Sequence, residues 1–237
     1  MTVSFVIPTY NFSLKFLSSM SNEIRIKDTI NKLIEKYKAS SWKDIMSETF
    51  QHKSFSNALD RLMNETREGQ HFTPPLKDIF KSFDLCPLDK VKVVFINAYP
   101  TPTKGEADGI AFSNTSNPFT KKLNSIKDGL GNSLEYLPEQ GVMLLNTALT
   151  CPVDNKSGHY ELWKPITEKL LNDISYRTLK TIFVFIGQDV ESMHVNVKGI
   201  NHFKFFIPEI TDDSDFLDIF NKINKLLEKE QKTPIIW

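Results

Sequence analysis

Apolar residues recur at helical spacing through residues 22–38, where Ile26, Ile30, Leu33, Ile34 and Tyr37 share one face, so an amphipathic helix is predicted there. A second such pattern over 41–66 puts Trp42, Ile45, Met46, Phe50, Phe55, Leu59, Leu62 and Met63 on a buried side. A break is expected in its middle, around His52 to Ser54. Thr73, Pro74 and Pro75 end that segment and open a short helix at 76–83. The pattern then changes. Val91–Ile96, Val142–Leu145, Ile182–Ile186 and Phe203–Ile207 are apolar runs of strand length, separated by helical patterns at about 117–128, 161–175 and 215–230. Strands buried on both faces read as unbroken apolar runs. Their alternation with helices predicts an α/β fold with a mostly parallel four-stranded sheet covered on both sides. In such sheets ligands bind beyond the strand C-termini. Chemistry is therefore sought just after Ile96, Leu145, Ile186 and Ile207.

Composition narrows the class. The chain has 237 residues, 40% of them hydrophobic, enough to bury one sizeable core, and its length permits one or two domains. Lys plus Arg equals Asp plus Glu at 29 each. The basic surplus of a protein that tracks nucleic acid non-specifically is missing. Cys86 and Cys151 lie far apart with no His at metal-ligand spacing, which reads as two reduced, buried thiols. No metal or cofactor is expected. Met1 to Ile7 is apolar but lacks a basic start and a cleavage site, and Pro8 interrupts it. No segment approaches the roughly 20 apolar residues of a spanning helix. The expectation is a soluble intracellular protein without a membrane partner. Its heavy use of Asn, Lys, Ile and Phe suggests an AT-rich viral or phage source.

Particular segments carry a resemblance. Phe72–Phe83 with Pro87 to Phe95, then Ala107-Asp108-Gly109-Ile110-Ala111-Phe112-Ser113, and above all Glu139-Gln140-Gly141-Val142-Met143-Leu144-Leu145-Asn146-Thr147-Ala148-Leu149-Thr150, resemble the cellular-type uracil-DNA glycosylases. The last of these matches that family's "EQGVLLLN…LT" segment almost residue for residue. The closing Lys232-Thr233-Pro234-Ile235-Ile236-Trp237 is similar to its "KPIDW" end. The likeness runs in order over 41–237, which it implies is a single glycosylase-like domain, with residues 1–40 as an N-terminal extension.

Uracil excision needs a flipped nucleotide, a pocket that reads the base edge, a carboxylate for the sugar cation and a donor for the departing anion. The family's catalytic hexamer "GQDPYH" corresponds to Asn97-Ala98-Tyr99-Pro100-Thr101-Pro102, with Tyr99 at the Asp. A neutral phenol does not replace a carboxylate. Glu106, Asp108 and Asp89 are near in sequence but off the matching position. The family's catalytic His opens a loop that begins here near Pro208 and reads Pro208-Glu209-Ile210-Thr211-Asp212-Asp213-Ser214-Asp215, without a His. His202 falls at the strand's other end. The acids of this loop repel phosphate, and Ile210 is its one apolar candidate for a DNA wedge. The phosphate-holding serines correspond to Phe119 and Gln188. Lys121, Lys122 and Lys127 meet phosphates or form a solvated helix face.

The base pocket persists. Phe112 matches the aromatic that stacks on uracil and Asn146 the amide that reads its edge, unless both are retained as core residues. Thr101 stands where the family excludes a 5-methyl group, which leaves room that the Tyr99 ring is expected to fill. These losses lead to the expectation of a catalytically inactive scaffold or interaction protein in viral DNA metabolism or transcription. A protein partner on Phe5, Tyr10, Phe12 and Phe16 is expected, with DNA binding weakened. The alternatives are a non-cleaving uracil reader, or an active enzyme with relocated groups such as Tyr99, His202 or Asp108.

Overall fold

The four apolar runs become one parallel sheet in a computed structural model that describes residues 10–126, 134–208 and 215–237. Its strands are β2 (Val93–Asn97), β3 (Val142–Asn146), β5 (Ile182–Ile186) and β6 (Phe203–Ile207), in the order β3-β2-β5-β6. Two short strands, β1 (Phe72–Thr73) and β4 (Cys151–Pro152), pair antiparallel beside it. The fold is a single α/β domain, with the parallel four-stranded sheet that the alternation predicted.

Side chains of a strand alternate between faces, so each strand feeds two cores. Val94, Ile96, Met143, Leu145, Phe183 and Phe185 meet helices α1 (Tyr10–Tyr37), α2 (Lys43–Gln51), α3 (Lys53–Arg67), α4 (Lys81–Leu85) and α7 (Tyr160–Arg177). Val93, Phe95, Val142, Leu144, Ile182 and Val184 meet α5 (Pro118–Ile126), α6 (Tyr136–Glu139) and α8 (Asp215–Lys229). On this second side the terminal Trp237 stacks on Phe220, with ring centroids 4.3 Å apart.

The expected helix break is real. His52 adopts an extended conformation, and its Nδ1 accepts from the Ser54 N–H at 3.2 Å, capping α3. The segment predicted as one helix at 76–83 is instead a 3-10 turn at Leu76–Asp78 followed by α4. Helix α1 begins earlier than its apolar pattern, and its Ile26 and Tyr37 join the same core as α2 and α3. Phe5 lies outside the described residues, as do the side chains of Tyr10, Phe12 and Phe16. No helix among the described residues is long and apolar enough to cross a membrane.

β2, β3 and β5 are buried along almost their whole length, whereas β6 alternates between half-buried and exposed positions. It is one of the sheet's two edge strands, and among the described residues nothing pairs with its outer side. Lys204 at its second position donates to the His194 and Val197 carbonyls at 3.1 and 2.7 Å.

Candidate active site

The order of strand addition reverses between the parallel strands β2 and β5, since β3 lies to one side of β2 and β6 beyond β5. Loops leaving the two strands diverge there and open a crevice. A cavity of about 270 Å³ occupies it. Its walls come from the β2 loop (Asn97 to Pro102), the tip of β3 (Asn146), the 107–117 segment (Ala107, Ile110, Phe112, Ser113, Asn117) and the β5 loop (Ile186, Gly187, Asp189), with Lys156 at the rim.

Asn97 and Asn146 end neighbouring strands in register. The Asn97 amide donates to the Tyr99 carbonyl at 2.6 Å and to Asn146 Oδ1 at 2.8 Å. The backbones are tied as well, because Thr147 N–H donates to the Asn97 carbonyl at 2.8 Å and Ala148 N–H to that of Ala98 at 2.9 Å. Asn146 is 6% exposed and lines the cavity.

Phe112 supplies an aromatic wall. It sits in the left-handed region, with φ of 67°, a conformation that costs a bulky residue about 1–3 kcal/mol and persists where its surroundings enforce it. The enforcement is visible: Thr120 Oγ1 donates to the Phe112 carbonyl, and the ring packs on Phe119 at 4.7 Å between centroids. Upstream, Gly109 (φ 89°) lies so close to the 3-10 turn that a Cβ there would stand 1.8 Å from the Asp78 carbonyl oxygen. Only glycine lets this segment approach. Asp108 then accepts from the Ile110 N–H and the Ser113 hydroxyl and pairs with Lys81 at 3.0 Å. It holds the loop and does not line the cavity.

The Tyr99 ring lines the cavity without closing it. It stands edge-on to Tyr160, with centroids 5.7 Å apart and Lys156 Nζ 5.8 Å from its centroid. Burial, with the Asp189 carboxylate beside it, pushes the Tyr99 phenol up from its ordinary range, so it stays protonated as a donor. Among the described residues that line the cavity, Asp189 is the one carboxylate. It is exposed at the mouth, two residues beyond Gly187.

The other expected positions fall as follows. Pro100 and Thr101 line the cavity with Ala98. Phe119 is fully buried in the core beneath Phe112, away from any phosphate, because the start of α5 turns its ring inward. Gln188 is exposed beside Asp189, and Lys121 is exposed on α5. His202 bonds the Ser175 carbonyl at 2.6 Å and the Thr181 N–H at 3.2 Å at the start of β6, the end remote from the cavity. Glu106 accepts from Asn114, and Asp89 lies beside the buried Cys86, whose thiol is pushed up to about 12 chiefly by burial. Pro208 follows β6. The acids Glu209, Asp212 and Asp213, the wedge candidate Ile210, and Lys127 lie outside the described residues.

The sequence did not single out Asp189, and it singled out Asn97 only as the first position of the altered hexamer. Both stand at strand tips already marked as places for chemistry, and that rule was the available signal for each.

No protein-family model matches the chain. Among curated proteins it is 30% identical to a uracil-DNA glycosylase of Mycoplasmopsis pulmonis over 84% of this chain and 98% of that protein. One from Campylobacter jejuni subsp. doylei is 28% identical over 88% and 97%. The fold is similar to that of mimivirus uracil-DNA glycosylase in complex with UGI, with a TM-score of 0.73 and 19% identity over 83% of this chain and 87% of that one. The Nitratifractor salsuginis enzyme follows at 0.59 and 17%, over 84% and 96%. These relatives overturn the expectation of an inactive scaffold, since proteins matched over nearly the whole domain carry the glycosylase name. The physical reason for the error lies at position 99. A carboxylate acts from where it stands in space, and the absence of one from a single hexamer does not remove it from a cavity built by several loops.

Proposed function

Because the chain belongs to the uracil-DNA glycosylase family, we propose that it excises uracil from DNA, with Asp189 supplying the negative charge that position 99 lacks. The observation that carries this reading is that one cavity holds a stacking face, an edge-reading amide and a carboxylate: Phe112, Asn146 and Asp189.

In this reading a flipped nucleotide enters the cavity, its base lying on Phe112 with its edge toward Asn146. The glycosidic bond breaks with its electron pair on the base, and cationic character develops on the sugar. The Asp189 carboxylate at the mouth faces that cation, and the Tyr99 hydroxyl beside it holds it in place. DNA seated over the mouth would exclude water and strengthen this attraction, which is weak for an exposed group. Water then adds to the sugar and the base leaves as neutral uracil after taking up a proton. Lys156 offers a positive charge at the rim for a neighbouring phosphate.

The test is release of free uracil from single-stranded and duplex oligonucleotides by the full-length protein and by Asp189→Asn. The expected result is release by the native protein and a loss of about 10²–10⁴-fold in the variant, the range for a group acting on the reacting atoms. Equal rates would remove Asp189 from the mechanism. Binding of uracil DNA with no release by the native protein would sink the excision reading.

A further inference from the structure

We propose that Asn97 is a positioning residue that fixes which way round the Asn146 amide faces the cavity, and so selects bases that present a carbonyl beside an N–H. The proposal rests on the reading of the cavity as a base pocket and goes further, to what sets its selectivity.

A carboxamide can point either end at a ligand, and the two ends ask for opposite partners. Asn146 alone would accept from uracil or, turned over, pair with cytosine. Asn97 removes the choice. A backbone carbonyl can only accept, so the Asn97 atom 2.6 Å from the Tyr99 carbonyl is its NH2 group. The second hydrogen of that group meets Asn146 at 2.8 Å, and the atom it meets must be the oxygen. The Asn146 NH2 is thereby turned to the other side. It has no hydrogen-bond partner among the described residues, and its side chain lines the cavity.

The chain of constraint begins in the backbone. Tyr99's carbonyl orients Asn97, and Asn97 orients Asn146. The Thr147 N–H bond to the Asn97 carbonyl keeps both residues in one frame. What the cavity then meets is a donor with the remaining lone pair of Asn146 Oδ1 next to it. Uracil answers with its C4 carbonyl and N3–H. Cytosine offers an amine to the donor and a bare nitrogen to the lone pair, so both contacts fail, and unpaired buried polar groups are costly. The side chain that does this stands at the last position of β2, where the family's hexamer has glycine.

The experiment measures binding of the full-length protein to 15-nucleotide single strands carrying one central 2′-fluoro-deoxyuridine or 2′-fluoro-deoxycytidine, the fluorine slowing glycosidic cleavage. The native protein is expected to prefer uracil by at least ~10-fold. Asn97→Ala should bring the two affinities within about threefold, because a freed amide presents either end at little cost, and Asn146→Ala should abolish the preference. If Asn97→Ala keeps the native ratio while Asn146→Ala loses it, the positioning role is overturned and the pocket reading stands. If the native protein shows no preference, or Asn146→Ala retains it, the pocket reading fails and the proposal with it. Should Asn97→Ala not fold, the near-isosteric Asn97→Asp, an acceptor only, must lower the uracil-to-cytosine ratio; an unchanged ratio overturns the proposal.

Discussion

Two polar clusters flank the short segment from Asn146 to Thr150, and they use their hydrogen bonds in opposite ways. At the Thr150 end the network is sealed. Trp163 Nε1 donates to Thr150 Oγ1 at 2.7 Å, and Thr150 meets His159 Nδ1 at 2.9 Å. His159 Nε2 meets Glu65 at 2.8 Å, and Arg61 closes the chain on the other Glu65 oxygen. The Glu65 carboxylate can only accept, so the imidazole N–H points at it, and the bare Nδ1 of the neutral ring accepts from the Thr150 hydroxyl. Thr150 and His159 are buried, and each finds its partner within the protein. At the Asn146 end the Asn97 NH2 has both its bonds made, and the next amide holds its NH2 out to an open cavity. A buried polar group with all its bonds made fastens the fold, whereas one with bonds to spare at a cavity wall is placed for a ligand. The sealed cluster anchors helix α3 to α7 and, through Thr150, steadies the segment that carries the open one.

That contrast can be tested by substitution. The largest effect is expected on chemistry alone: Asp189→Asn should lower uracil release by about 10²–10⁴-fold while thermal unfolding stays within a degree or two of native, as for an exposed residue. Glu65→Leu should do the reverse. It leaves the buried His159 N–H without its partner, while the exposed Arg61 turns to water, and should cost about 1–3 kcal/mol, read as a lowered denaturant midpoint. A loss of release with no loss of stability in that variant would break the division between the clusters. Asn146→Ala is expected to be intermediate in kind, costing about 1–2 kcal/mol in uracil affinity with little change in unfolding. The smallest effect is a pH dependence. Burial holds the His159 imidazole below its ordinary 6.5 despite Glu65. The unfolded chain therefore binds the proton first on acidification, and stability present above about pH 6.5 should fall as pH drops toward the folded value. A midpoint that did not fall between pH 7 and pH 5, or a fall equally large in His159→Gln, would remove His159 as its source.

The strands were legible almost to the residue because a strand covered on both faces tolerates few polar interruptions, as Ile182–Ile186 shows. The break at His52 was legible because one side chain can both end a helix and cap the next. The early start of α1 was not, since its periodic apolar face begins only near residue 22. At the site, the positions of Phe112, Asn146, Tyr99 and Thr101 followed from the resemblance, and the fold gathers them around one cavity. Matching one loop at a time hid what several loops share. Phe119, aligned to a phosphate loop, is core because the start of α5 turns its ring under Phe112. Asp189 was overlooked because the missing charge was sought near Tyr99 along the chain, while β5 delivers it from ninety residues away across the sheet.

Lys204 carries a consequence for behaviour at high concentration. The outer side of β6 leaves a row of backbone groups unpaired among the described residues, a template onto which a strand of another molecule can add. Lys204 stands second in the strand with its ammonium bound to the His194 and Val197 carbonyls, so an incoming strand would have to strip water from a fixed charge. Its neighbours are Phe203, Phe205, Phe206 and Ile207. A Lys204→Val change would leave five apolar residues in a row at an open edge, a self-association hazard during storage and expression that a measurement of folding stability in dilute solution would not report.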